Sequence, residues 1–111
     1  MEACDLKNGK CKPCEGGIPS LSQAEAQKLM KGLEGWVLKD EHLFKEYTLE
    51  DFVAIMVLVN KVADLAEEEG HHPDLNIHGW NSLTITLFTH AIDGLSENDF
   101  IVAAKIDALE E

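Results

Sequence analysis

Apolar residues recur along the chain at two spacings, one typical of helices and the other typical of strands. Helical spacing runs over residues 23–33, directly after a capping-box pattern that starts at Ser22. It returns after Asp51, a residue suited to cap a helix, and continues into an acidic run that ends at Gly70. A third helical segment follows Ser96 and continues to the C-terminus. The pattern therefore predicts three helices.

The second of these helices is apolar over a broad surface. Its helical period predicts core-facing positions at Phe52, Ile55, Met56, Val59, Ala63 and Ala66. Three more apolar residues lie on its flank, at Val53, Val57 and Leu58. We expect another strand layer or another subunit to cover part of this flank, because a helix that is apolar on more than one face is usually buried on more than one face.

Two pairs of shorter segments between the helices predict two β-hairpins. The first pair is 36–38 and 43–49, separated by a polar turn, and the second is 75–78 and 83–88, separated by a turn that contains Gly79. The last segment alternates apolar and polar residues, so one face of it should point to the core. The residues on that face are Leu83, Ile85 and Leu87.

Taken together, these elements predict an α+β fold, a four-stranded antiparallel sheet with helices packed on one face, in the order α-β-β-α-β-β-α. The other face of the sheet and its edge strands are then uncovered. Another copy of the chain could cover them, so we expect a homodimer or a homotetramer.

The length of 111 residues fits one domain. Residues 1–20 are rich in Lys, Gly, Pro and Cys, and they predict an extended N-terminal arm ahead of a domain over 21–111. Cys11 and Cys14 have the spacing of zinc ligands, but no second Cys or His pair follows at a matching spacing. With Cys4 they predict an exposed tail without metal, and a metal site or a redox pair are the alternatives.

The charge of the chain narrows the choice of partners. It has 21 acidic and 9 basic residues, a formal net charge of -12, and every basic residue is a lysine. Nucleic-acid phosphates would be repelled, so no nucleic-acid partner is expected. The longest apolar run, 52–59, is far shorter than the ~20 residues that span a membrane. The N-terminus lacks the pattern of a secretory signal, so we expect a cytoplasmic protein that binds a small molecule.

Four of the five histidines lie within twenty residues, at His71, His72, His78 and His90. Imidazole can both donate and accept a proton near neutral pH, so such a cluster favours acid–base chemistry. Pro73 biases His72 toward an extended conformation, so the rings of His71 and His72 should point in different directions.

Each candidate residue also has a purely structural explanation. The adjacent histidine pair could cap the end of the second helix. His90 is placed at the end of the last strand, off its core face, and could be a surface residue. Asp99 could complete the cap of the last helix, and Glu67 lies in a solvated acidic run. Trp80 could be a turn aromatic, and His78 is expected to be exposed.

A transition-metal site is a weaker explanation for this cluster. Adjacent residues of an extended chain point apart, so His71 and His72 form a poor chelating pair. The His-x-x-x-His spacing of helical zinc sites is also missing. We therefore expect no metal.

Seven positions together resemble the signature of the pterin-4a-carbinolamine dehydratase family. They are Glu67, His71, His72, Pro73, Trp80, His90 and Asp99, each at the spacing that the family pattern requires. The resemblance extends from about Leu21 to the C-terminus. The family also has the order of helices and hairpins predicted above.

The resemblance implies a hydro-lyase that dehydrates 4a-hydroxytetrahydropterin to the quinonoid dihydropterin, a pterin-recycling step, without metal or organic cofactor. It implies that His71, His72 and His90 are the catalytic set. Of these, His71 and His90 would be acid–base groups for the two faces of the pterin, and His72 would mainly orient it. The resemblance further implies pocket-shaping or supporting roles for Glu67, Pro73, Trp80 and Asp99.

Some proteins that resemble this family act as dimerisation partners of transcription factors or as assembly factors. The alternative hypothesis is therefore a non-catalytic dimerisation, coactivator or assembly protein on the same fold. A scaffold would tolerate loss of the histidines, and their presence favours the enzyme.

Overall fold

The computed structural model describes Leu6, Asn8, Gly9 and residues 20–109. In chain order it contains α1 (Gln23–Met30), β1 (Val37–Lys39), β2 (His42–Thr48), α2 (Phe52–Glu69), β3 (Asp74–His78), β4 (Ser82–Leu87) and α3 (Glu97–Leu109). A 3-10 turn over His90–Ile92 lies between β4 and α3. The predicted order of helices and hairpins is confirmed.

The N-terminal caps predicted for the first two helices are present. The Ser22 hydroxyl accepts the Glu25 N–H at 3.1 Å, and the Glu25 carboxylate accepts the Ser22 N–H at 3.0 Å. The hydrogen bond from the Ser22 backbone, and then the one with its side chain, hold the pKa of Glu25 below its ordinary value. At the start of α2, the Asp51 carboxylate accepts the Ala54 N–H at 2.8 Å. These bonds satisfy N–H groups that have no partner within the helix.

The first helix was predicted to extend to residue 33, and this prediction is wrong by three residues. The helix ends at Met30, and Lys31 is its C-cap. Gly32 and Leu33 instead donate to carbonyls three residues earlier, at 3.0 Å each, in a tight terminal turn. Glycine has a low helix propensity, which explains why the helix does not continue through this position.

The four strands form one antiparallel sheet in the order β1-β2-β4-β3. In the centre of the sheet, Leu43 pairs with Leu87 and Tyr47 pairs with Leu83. These residues and Ile85 are buried, as the alternating pattern predicted for β4. Strand β3 forms an edge, and all five of its residues are exposed.

The core lies between this sheet face and the helices α2 and α3. Helix α3 contributes Phe100, Ile101, Val102, Ala103, Ala104 and Ile106, all buried. Leu6, from the predicted N-terminal arm, is also fully buried in this core. Cys4, Cys11 and Cys14 lie outside the described residues.

The predicted core-facing stripe of α2 is partly wrong. Ile55 and Ala66 are buried as predicted, but Phe52 and Ala63 are exposed, and the other core positions are Leu58 and Val62. The helix is apolar on two adjacent stripes, so the period alone does not say which stripe faces the sheet. The stripe that remains outside has three large exposed residues, Phe52, Val53 and Val57.

Within the part of the chain that the structure describes, none of the helices has both the length and the apolar character needed to cross a bilayer.

Candidate active site

The last turn of α2 ends in a glycine that redirects the chain toward the site. Gly70 has φ 67 and ψ 26, in the left-handed region, where residues with a Cβ are strained. Its N–H and that of His71 both reach the Ala66 carbonyl, at 2.9 and 3.2 Å. A Cβ on Gly70 would meet nothing within 4 Å, so the backbone conformation, and not the available space, favours glycine here.

His71, which follows α2, contacts a carboxylate at the start of α3. Its Nε2 lies 2.6 Å from Oδ1 of Asp99, in the first turn of α3. The His71 side chain is 12% exposed and that of Asp99 is 0% exposed. A contact between residues 28 positions apart thus forms a pair that is largely shielded from water.

Asp99 has two further donors. Its Oδ2 accepts the Thr89 hydroxyl at 2.6 Å and the Ser96 N–H at 3.0 Å. The cap predicted for Asp99 therefore forms, and the same carboxylate also binds His71. A buried carboxylate requires several donors to offset its loss of hydration, and here three groups supply them.

His72 makes a second, exposed pair. Its Nε2 lies 2.5 Å from Oε2 of Glu67, one turn back on α2. The two side chains are 61% and 78% exposed, so the solvent screens their attraction. Because His71 and His72 bind carboxylates on different elements, their rings are directed to different places, as Pro73 led us to expect.

His90 opens the 3-10 turn, and the prediction that it ends β4 is wrong because that strand ends at Leu87. The prediction that it lies off the core face is confirmed, since it is exposed and its neighbour Thr89 is buried. The His90 ring packs edge-on against Phe88 at 5.0 Å between centroids. Phe88 in turn stacks on His42 at 4.1 Å, with 7° between the planes.

The described chain does not bring Trp80 to His71 and His72. It lies in the turn between β3 and β4 and is 62% exposed. Asp74 pairs with Thr86 at one end of this hairpin, and His78 pairs with Ser82 at the other. The histidine pair precedes Asp74, so the length of β3, roughly 13 Å at 3.3 Å per residue, separates it from the turn.

His78 contacts a different part of the molecule. It is exposed, and its Nε2 contacts the Thr84 hydroxyl at 3.0 Å and the Glu46 carboxylate at 3.6 Å. These partners all belong to the open face of the sheet.

A groove between α2 and β3 borders the second histidine. It has a volume of about 350 Å³ and is lined by Val62, Ala63, Ala66, Glu67, His72, Pro73 and Leu75. Three of the seven predicted site residues therefore line one largely apolar hollow. Another hollow, of about 220 Å³, lies beside α1 and the β1–β2 turn and contains none of them.

Thr89 and His42 belong to this arrangement but were not assigned a role from the sequence. For Thr89 a signal was available. It directly precedes His90, and because adjacent residues of an extended chain point to opposite faces, it lies on the core side. For His42, whose ring stacking depends on a neighbouring strand, the local pattern held no signal.

The site brings together imidazoles and carboxylates that can transfer and position protons. His71–Asp99 resembles the pairs in which a carboxylate orients a catalytic imidazole. Among the described residues, no group of three His, Cys, Asp or Glu side chains is arranged to hold a metal ion.

Sequence comparisons place the chain among known proteins. A family model described as "Pterin 4 alpha carbinolamine dehydratase" matches residues 19–109. A Rickettsia bellii protein named "Putative pterin-4-alpha-carbinolamine dehydratase" is 48% identical over 109 residues, 96% of each chain. A Nitrosomonas eutropha protein of the same name is 49% identical over 107 residues, 96% of this chain and 94% of that one.

Solved structures give the same result for the fold. The crystal structure of a transcriptional coactivator/pterin dehydratase from Brucella melitensis has a TM-score of 0.76 and 28% identity, covering 83% of this chain and 99% of that one. A pterin dehydratase-like protein identified as a RuBisCO assembly factor in the alpha-carboxysome has a TM-score of 0.58 and 28% identity, covering 68% and 89%. With the family model matching most of its length, this chain belongs to the pterin-4-alpha-carbinolamine dehydratase family.

Proposed function

We propose that the chain dehydrates a 4a-hydroxytetrahydropterin to the quinonoid dihydropterin by histidine acid–base catalysis. The observation that carries the proposal is the His71–Asp99 pair, a shielded imidazole bound at 2.6 Å to a fully buried carboxylate, in a chain of this family. Such a carboxylate holds the imidazole in one orientation, which is what a proton-transfer group needs.

The reaction requires two proton transfers. One proton goes to the C4a hydroxyl, which leaves as water when the C4a–O bond breaks. The proton on N5 is removed, and its bonding electrons form the N5–C4a double bond. In our proposal, His71 and His90 carry out these transfers, and each returns to its starting state by exchange with water.

The remaining predicted residues have supporting roles in this proposal. His72, oriented by Glu67 at the rim of the groove, helps to orient the pterin, and Pro73 shapes the apolar wall beside it. Trp80 is too far along the hairpin to join this site within one subunit, so its contribution requires a second copy of the chain.

A non-catalytic role is the second candidate function. It is supported by the exposed apolar stripe of α2, which includes Phe52 at 50% and Val53 at 69% exposure. The names of two structural relatives, a coactivator and an assembly factor, point in the same direction. In this alternative the chain would bind another protein through α2 and would not accelerate the dehydration.

Histidine variants distinguish these candidates. We expect His71→Ala and His90→Ala each to lower the rate of dehydration by about 10²-fold or more, the range of general acid–base help. Asp64→Ala is the control, because Asp64 is exposed on α2 and does not line the groove. The rate is followed by rapid mixing of purified variants, at equal folded concentration, with freshly formed 4a-hydroxytetrahydropterin.

If the two site variants keep the wild-type rate, the acid–base assignment is refuted. If all four proteins are no faster than buffer, the enzyme proposal itself is refuted and the binding role is favoured.

A further inference from the structure

We infer that the Thr89 hydroxyl is a positioning group, which holds the Asp99 carboxylate so that His71 exchanges protons through its Nδ1 atom. This inference rests on the proposed function and specifies which atom of the site acts. Thr89 lies outside the seven positions that resemble the family signature.

The position of Thr89 is fixed on both its backbone and its side chain. Its N–H donates to the Gly94 carbonyl at 2.9 Å, and its carbonyl accepts the Gly94 N–H at 3.4 Å, so the two residues close the loop that carries His90. Thr89 is only 3% exposed. A buried hydroxyl at a pinned backbone position has few other orientations available.

The number of available hydrogens determines which group the Thr89 hydroxyl donates to. A threonine hydroxyl has one hydrogen, and a carboxylate can only accept, so the contact of 2.6 Å with Asp99 uses the Thr89 hydrogen. Thr89 also lies 2.8 Å from the Ser96 hydroxyl, and there the hydrogen must come from Ser96. The order of donation is therefore Ser96 to Thr89 to Asp99.

These donors determine which Asp99 oxygen is available to His71. Oδ2 already receives the Thr89 hydroxyl and the Ser96 N–H, and Oδ1 lies 2.6 Å from Nε2 of His71. An ionised carboxylate can only accept, so the hydrogen between them belongs to Nε2. In the neutral ring the lone pair then belongs to Nδ1, which is the atom that can accept a proton from the pterin.

Loss of the Thr89 hydroxyl should make the orientation of the Asp99 carboxylate and the His71 ring less fixed, while both groups remain present. Thr89→Val keeps the shape but leaves Oδ2 with the Ser96 N–H alone, so the carboxylate is held less firmly and the His71 ring can also turn its Nδ1 toward it. Thr89→Ser keeps the hydroxyl. A purely structural role of Thr89 would change stability but would not change the position of the ring hydrogen.

The test determines directly which nitrogen of the His71 ring carries the hydrogen. We would record ¹⁵N NMR spectra of the His71 ring nitrogens in the wild-type protein, Thr89→Ser and Thr89→Val, with no substrate present. We expect hydrogen on Nε2 in the first two proteins and a mixture of the two tautomers in Thr89→Val. The same three proteins are then assayed for dehydration across pH.

In the assay we expect kcat of Thr89→Val to fall by about tenfold, the effect of one lost hydrogen bond to a charged group, with Thr89→Ser close to wild type. KM should change much less, and the pH profile of kcat should shift only in Thr89→Val.

Hydrogen on Nδ1 in the wild-type protein would overturn the inference, whether or not Thr89→Val folds. An unchanged tautomer and pH profile in a folded Thr89→Val would also overturn it. If the tautomers behave as expected but no protein accelerates the dehydration, the positioning inference stands and the proposed function falls.

Discussion

Asp99 connects three separate parts of the chain, because its carboxylate binds the end of α2, the loop after β4 and its own helix start. To cap α3, Asp99 needs only its hydrogen bond with the Ser96 N–H. The extra contacts with His71 and Thr89 convert a local cap into the buried partner of an imidazole. At this scale, one side chain both caps a helix and holds the imidazole that we propose to be catalytic.

Gly70 offers a prediction at the residue scale. Because its φ of 67 is left-handed and no atom would clash with a Cβ, Gly70→Ala should cost about 1 kcal/mol of unfolding free energy from backbone strain alone. Gly70→Asn is the control, since asparagine tolerates this conformation better. Urea denaturation measures both, and Gly70→Ala being as stable as the wild type would contradict the explanation.

The sequence proposed the candidate site residues but not all of their contacts. Seven positions were named from their resemblance to the family signature. The structure places Glu67, His71, His72, Pro73 and Asp99 around the end of α2 and the start of α3, and His90 in the turn after Thr89, which binds Asp99. The bond between His71 and Asp99 spans 28 residues, and spacing alone does not specify it. Their catalytic roles remain predictions.

At the scale of elements, α2 and α3 are joined next to the site by an ion pair. Nζ of Lys105 lies 2.6 Å from Oε2 of Glu69, whose side chain is 1% exposed. Glu67 and Glu69 belong to the same acidic run, which the sequence led us to expect in solvent. In the structure Glu67 is exposed but Glu69 is buried. The pattern of charges could not show this difference, because the partner comes from a helix 36 residues away.

Lys105→Met should destabilise the protein by about 2 kcal/mol, because it removes the cation beside a buried carboxylate. Adding Glu69→Gln to this variant should restore part of the loss. Lys61→Met is the matched control, since Lys61 is exposed on α2 and its loss should change stability by less than about 0.5 kcal/mol. Chemical denaturation of the four proteins gives the comparison, and equal stability of the two lysine variants would rule out a contribution from the pair.

The caps and hairpins were predictable because their signals are local, as with Ser22 and Asp51. The buried stripe of α2 was not, because Leu58 and Phe52 belong to neighbouring apolar stripes that differ only in what covers them. Tertiary packing made that choice, and the helical period does not contain it.

For the whole molecule, β3 is the edge that a second copy could cover. Leu75 and Ile77 are 37% and 36% exposed on it. If two copies paired antiparallel about Asn76, Leu75 would face Ile77, and Asp74 would face His78, of the other copy. The turn that carries Trp80 would then approach the Pro73 end of the partner.

This pairing predicts that Ile77→Lys lowers the oligomeric state, because a lysine at this edge opposes strand pairing. Val37→Lys is the control, since Val37 is exposed on the opposite edge strand, β1. Sedimentation velocity should show a smaller species for Ile77→Lys and the wild-type species for Val37→Lys. A wild-type protein that is already monomeric, or an unaffected Ile77→Lys, would contradict pairing through β3.

The central claim is that this chain is a pterin carbinolamine dehydratase, and the most direct measurement is the rate at which the wild-type protein converts 4a-hydroxytetrahydropterin to the quinonoid form. We predict a rate that increases in proportion to protein concentration and exceeds the rate in buffer by at least about 10²-fold at saturation. A rate equal to that in buffer at every protein concentration would contradict the claim.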